Sequence, residues 1–143
     1  MKDKVELCGT YKLTLKNPGK PPVVQQGKNR VVTLGLQKLA ALCMAATTQP
    51  EWLAIGDSPN ATDLAQVALQ GSEWQRVLGT QAQTGNAYTL STTITGAVAN
   101  RAVEEMGIFS ASSGSTMFAR FLPSSFTLEV GGVLQVDWQL EFS

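Results

Sequence analysis

Val133-Leu134-Gln135-Val136-Asp137-Trp138-Gln139-Leu140-Glu141-Phe142-Ser143 decides the fold class. Leu134, Val136, Trp138, Leu140 and Phe142 alternate with Gln135, Asp137, Gln139, Glu141 and Ser143. Successive side chains of an extended chain point to opposite faces, so this period of two predicts a long strand with one apolar and one wet face. The pattern returns at the other end of the chain. Val5, Leu7, Gly9, Tyr11, Leu13 and Leu15 face one way, and Glu6, Cys8, Thr10, Lys12, Thr14 and Lys16 the other. Asn17-Pro18-Gly19-Lys20-Pro21-Pro22 follows as a turn, because prolines remove backbone donors and glycine admits positive φ. Val23 to Gln26 then reads as the returning strand of a hairpin.

Between these ends one stretch has helical spacing. Leu36, Leu39, Leu42, Cys43 and Ala46 recur at intervals of three and four, Thr33 is placed to cap the start, and Pro50 bounds the end. A helix over about 34–47 is expected, apolar over much of its circumference and therefore buried on more than one side. Trp52 to Gly56 reads as a short buried strand and Asp57-Ser58-Pro59-Asn60 as a turn. A short second helix is expected over Asp63 to Leu69, capped by Thr62 and closed by Gly71. Strand patterns then dominate: Trp74 to Thr80, Tyr88 to Thr95 after the Gly85-Asn86 turn, Val103 to Ser110 paired with Thr116 to Leu122, and Phe126 to Val130 before Gly131-Gly132. Turn signals at this density favour a sandwich or barrel. The expected fold is mainly β, an antiparallel jelly-roll-like β-sandwich with one apolar helix and a short second one. Residues 1–28 form an N-terminal strand or hairpin and a candidate intersubunit arm, and residues 29–143 form the sandwich domain with its embedded helix.

At 143 residues the chain suits one domain that buries about two thirds of its unfolded surface without a metal or disulfide staple. Eleven basic residues balance eleven acidic ones, so bulk charge predicts no nucleic-acid partner. The balance is uneven, with eight basic and two acidic residues in 1–38 and three basic and nine acidic residues after it. No apolar run reaches the length of a bilayer span, and the N-terminus lacks the apolar stretch of a secretory signal. Cys8 and Cys43 read as reduced thiols of a protein made in the cytoplasm.

The residues offer little chemistry. The chain has no histidine, the commonest general base and zinc ligand. The run Asp57 to Asp63 has Pro59 at a ligand position of a calcium loop and lacks the glycine and distal glutamate. Gly19-Lys20 and Gly27-Lys28 lack the surroundings of a P-loop, and Ser113-Gly114-Ser115 is no nucleophile elbow. Glu104 and Glu105 are neighbours, so on a strand they face opposite ways and cannot act as a carboxylate pair. A structural ion pair with Arg101 or Arg120 is the expected use of such a group. Trp52, Trp74 and Trp138 stand among aliphatic residues, as packing aromatics do. No cofactor or metal is expected, and no enzymatic activity.

The order of features resembles that of small tailed-bacteriophage virion proteins. The resemblance is carried by Gly9-Thr10-Tyr11-Lys12-Leu13-Thr14-Leu15, by Asn29-Arg30-Val31-Val32 leading to Gly35-Leu36, and by Trp52-Leu53-Ala54-Ile55-Gly56 with Pro59 and Asp63-Leu64. It is carried further by Glu105-Met106-Gly107-Ile108-Phe109, a Ser/Gly turn, Phe118-Ala119-Arg120 and the closing strand to Phe142-Ser143. Asp57-Ser58-Pro59 departs from it where a second glycine often follows Ile-Gly. The resemblance implies a structural virion protein, a head decoration (cement) protein that clamps neighbouring copies of the major capsid protein as a homo-oligomer, with a trimer favoured. The alternatives are a tail, baseplate or fibre-associated module, and a jelly-roll carbohydrate-binding protein. Under the leading expectation Val5, Leu7, Tyr11, Lys12 and Leu13 make the intersubunit contact, through pairing of the basic N-terminal strand with a neighbour's sheet edge. Neither nucleic acid nor membrane is an expected partner, and the protein resides in the virion.

Overall fold

A computed structural model describes residues 6–42, 48–96 and 98–143. Its elements are β1 (Leu7–Lys16), β2 (Val23–Val31), α1 (Thr33–Leu42), β3 (Trp52–Gly56), β4 (Glu73–Leu78), β5 (Thr80–Thr84), β6 (Ala87–Thr95), β7 (Arg101–Val103), β8 (Glu105–Phe109), β9 (Met117–Phe121), β10 (Phe126–Leu128) and β11 (Val133–Phe142). Nine strands form one antiparallel sheet in the order β4-β3-β8-β9-β2-β1-β11-β6-β5, and β10 and β7 form a separate pair. The fold is mainly β, a nearly closed sheet with one helix.

The two alternating runs are the spine of this sheet. β1 and β11 pair over their full lengths, from Leu7 opposite Phe142 to Lys16 opposite Val133. Leu134, Val136, Trp138 and Leu140 of β11 and Tyr11, Leu13 and Leu15 of β1 point into the main core, as the period of two requires. Aromatic contacts fill the interior. Tyr11 stacks on Phe121 at 4.5 Å, while Phe118 and Tyr88 meet the Trp138 ring edge-on at 6.0 and 6.1 Å.

Closure of the sheet depends on one residue. The run expected as a single strand from Trp74 to Thr80 is divided at Gly79, and its two halves lie at opposite ends of the strand order. The chain thus passes directly from one edge to the other. Gly79 crosses close over β6, where a Cβ would stand 2.5 Å from Thr92 Oγ1 and 2.6 Å from Leu90 Cδ1. Its N–H donates to the Glu51 carbonyl at 2.8 Å, which ties the corner to the approach of β3. Only a residue without a side chain permits that approach.

Two expectations are corrected. Among the described residues there is no second helix. Over 63–69 the backbone groups go to neighbours: Thr33 N–H donates to Leu64 O, Met117 N–H to Val67 O, and the Asp63 carboxylate accepts from Ala65 N–H. With these groups engaged no i→i−4 ladder forms, and Gln66 N–H closes a single i→i−3 turn onto Asp63 O. The helix α1 is less buried than its composition predicts. Gly35 is its buried residue, while Leu36 remains 47% exposed. The expected extent from 43 to 47 lies outside the described residues. Its first hydrogen bond runs from Leu36 N–H to Val32 O, so Val32 rather than Thr33 holds the cap position.

The pairing of β1 bears on the expected N-terminal arm. Both hydrogen-bonding edges of β1 are taken within the chain, by β11 on one side and by β2 on the other from Gly9 to Leu15. The strand is central rather than detachable. Removal of residues 1–16 is therefore expected to abolish the cooperative thermal transition and give aggregated protein. Leu13→Ala alone is expected to cost about 2–5 kcal/mol, read from urea unfolding. A soluble truncated chain with an unchanged melt would contradict this placement.

Candidate functional site

Of the five residues expected at an intersubunit contact, the four that are described do not share a surface. Val5 lies outside the described residues. Leu7 packs half-buried against the main core, Tyr11 lies inside it, and Leu13 is fully buried. Lys12 alone is exposed, set across from Asp137 on β11 and Gln26 on β2. Alternation explains the division: Leu7, Tyr11 and Leu13 share the inward face of β1, and Lys12 the outward one.

The ionic centre of the molecule lies elsewhere, between β8 and β9. Glu105 and Arg120 have fully buried side chains and pair at 2.7 Å. Small residues make room for them: Gly56 stands across from Glu105, and Gly107 across from Arg120. A Cβ on Gly56 would come within 2.8 Å of Glu105 Oε1. The Glu105 carboxylate accepts from Gln70 N–H at 2.9 Å, Gly71 N–H at 2.7 Å, Ser58 N–H at 3.3 Å and Arg120 Nε at 2.8 Å. Arg120 donates to Asn60 O at 2.7 Å and to Ser58 O and Gln66 Oε1 at 3.3 Å. Every one of these further partners belongs to the irregular segment between β3 and β4. The pair therefore fastens residues 57–72 over the outer face of the sheet, where Leu69 joins Val32, Ala54, Phe109 and Met117 in a second apolar cluster. With its oxygens so occupied, Glu105 serves as a fastener.

The other conspicuous ionisable groups also hold the fold. Arg76 forks onto Glu73 at 2.8 and 2.7 Å, lies 3.7 Å over the Phe109 ring and donates to the Ala111 and Gly114 carbonyls. It clamps the turn between β8 and β9 against β4. Arg101, the other expected partner for the carboxylates, sits 5.2 Å over Trp74. Glu104 accepts from Ser125 Oγ at 3.4 Å. Trp138 is buried, and Trp52 and Trp74 are half-buried against the two clusters. Cys8 is an exposed free thiol. Among the described residues no three His, Cys, Asp or Glu side chains gather as a metal cluster would need.

An apolar surface remains at the α1 pole. Leu36, Leu39, Ala40, Leu42 and Phe142 line an open groove of about 580 Å³. It adjoins a cavity of about 340 Å³ walled by residues such as Leu39, Leu42, Tyr88, Phe118, Leu140 and Phe142. Tyr88 closes the cavity's rim by donating to Pro50 O at 2.7 Å. Burial, and then the Glu51 carboxylate, push its phenol well above the ordinary 10.0. The exposure of Leu36 was not legible in a helix rich in leucine and alanine, because spacing alone does not reveal which apolar face lacks a neighbour. Comparison with protein-family models, characterised proteins and solved structures gave no match.

Two outcomes follow for this architecture. Arg120→Met is expected to cost about 3–5 kcal/mol, because it leaves Glu105 buried without its counter-charge. Replacing both members, Glu105→Leu with Arg120→Met, is expected not to restore stability, since the segment 57–72 loses its hydrogen-bond partners. Faster amide exchange at Gln70 and Gly71 would show it, and unchanged exchange would refute it. The second outcome concerns pH. The folded state keeps Tyr88 protonated beyond the point where the unfolded chain ionises, so its contribution is complete below pH 10.0 and is lost as pH rises past that value. Melting temperature should fall through that alkaline range, and less steeply in Tyr88→Phe.

Proposed function

We propose that this chain is a structural virion protein of a tailed bacteriophage, a head decoration (cement) protein that binds across neighbouring copies of the major capsid protein. The observation that carries the reading is the apolar α1 pole, an exposed Leu36 beside a groove lined by Leu39, Ala40, Leu42 and Phe142. Contiguous apolar surface of this kind marks contact with another macromolecule. The resemblance described above supplies the kind of partner, and a jelly-roll-like sandwich and a trimeric assembly belong to the same proposal. The charged groups at Glu105, Arg120 and Arg76 hold the scaffold rigid, and the pole is what that scaffold presents.

In this mechanism the docking surface is the α1 pole rather than the β1 edge. Binding buries Leu36 and the groove against capsid subunits. Because the assembled lattice is bound more tightly than free subunits, occupancy stabilises the shell by mass action. Purified protein added to shells lacking it is expected to bind saturably and raise their resistance to heat. Leu36→Glu should weaken that binding at least tenfold while leaving the protein's own melting temperature unchanged. Binding to tails instead of heads would move the assignment to a tail module, and binding to neither would overturn the reading.

A further inference from the structure

The edge strand β5 carries a second interaction surface, independent of the α1 pole and of the virion reading. Among the described residues β5 is the last strand in the sheet order and pairs on one side only, with β6. The two-residue turn Gly85-Asn86 sets Thr84 opposite Ala87, and Gly85 has the positive φ of 58° that such a turn needs. The closing pair of a two-residue hairpin exchanges its hydrogen bonds across the ladder, and the bonding direction alternates from there. Thr84, Ala82 and Thr80 thus direct their backbone groups to β6. Gln81 and Gln83 direct theirs to the open edge.

Edge strands are ordinarily guarded by charge or proline against pairing with other chains. The partly open edge of β2 is guarded by Pro22 and Lys28, and β4 carries Glu73 and Arg76. β5 has neither kind of guard. No charged residue and no proline occurs between Arg76 and Arg101. The carboxylate in contact with the strand is Glu51, held at one end by Gln81 Nε2 at 2.9 Å. A neutral edge does not repel a copy of itself.

The strand is also self-complementary. Thr80-Gln81-Ala82-Gln83-Thr84 reads the same in both directions. We propose that β5 pairs antiparallel with β5 of a second copy of this chain, about a two-fold axis through Ala82. In that register Gln81 of each copy faces Gln83 of the other, so outward groups meet outward groups. Each of the two pairs exchanges both of its backbone bonds, which makes four in all. Ala82 meets its own copy in the closer, non-bonded kind of pair, with Cα atoms about 4.5 Å apart, where a small side chain fits. Thr80 meets Thr84 on the same exposed face, a favourable like pair. The contact is isologous and closes, so pairing consumes the open edge. Its five residues cover far less than the roughly 1,200–2,000 Å² of a stable interface. The dimer accordingly forms at high protein concentration or where copies are held side by side.

Sedimentation across a concentration series tests the proposal on the full chain. Ala82→Lys sets two ammonium groups on the axis, and Gln83→Pro removes an outward N–H without touching the ladder to β6. Each is expected to weaken self-association at least tenfold with the melting temperature unchanged. In a Cys8→Ser background, Ala82→Cys is expected to give a disulfide between the two copies of position 82 on mild oxidation, since the Cα separation lies in the disulfide range. Mass spectrometry of the linked peptide identifies it. A wild-type chain that stays monomeric at every concentration, self-association indifferent to Ala82→Lys, or a cross-link from position 82 to any other site would each overturn the proposal. Capsid binding by Ala82→Lys is scored separately, because the α1 pole is untouched.

Discussion

Two buried charges constrain most of this molecule. Taking Glu105 and Arg120 out of water is costly for each, and their mutual attraction offsets that cost only when their remaining hydrogen-bonding capacity is also used. Here it is used on the backbone of residues 57–72, with three N–H groups on the carboxylate and two carbonyls on the guanidinium. An irregular segment without a hydrogen-bond ladder of its own thereby becomes a fixed cover for the sheet. Beneath it, β3, β8 and β9 are buried on both faces, with the main core on one side and the Phe109 cluster on the other.

The rest of the sheet answers to a different constraint, the need to close. β1 and β11 form a ten-residue ladder whose inward faces fill the barrel-like interior, and Gly79 returns the chain from one edge to the other. Arg76 and Tyr88 then tie the ends of this arrangement, one at the turn between β8 and β9 and one at Pro50. Charged and aromatic groups that might have suggested a reactive site are thus engaged in holding elements together. Among the described residues, the apolar groove beside α1 and the neutral edge of β5 face outward.

Much of this was legible residue by residue. The alternation of β11 and of β1 gave each inward side chain its correct face, from Leu134 to Leu140 and from Tyr11 to Leu15. The carboxylate pairing was legible in part, as an ion pair of Glu104 or Glu105 with Arg101 or Arg120, without a choice among them. The helix expected at Asp63 to Leu69 misled because propensity describes a segment by itself. Its Leu64 and Val67 carbonyls were claimed by the N–H groups of Thr33 and Met117, residues far away in the chain. The pairing of β1 on both sides was not legible for a related reason: a basic, alternating strand looks the same whether its edges are open or paired.

The sequence by itself determined the alternation of β1 and β11 and which of their side chains enter the core, since that depends on neighbours within a few positions. Only the tertiary structure decided which strands lie side by side, that Gly79 joins opposite edges, and that Glu105 selects Arg120 while Arg101 rests on Trp74. It alone also decided which apolar and neutral surfaces stay uncovered. Those outcomes depend on partners distant in the chain, and a local hydrophobic pattern carries no information about who those partners are.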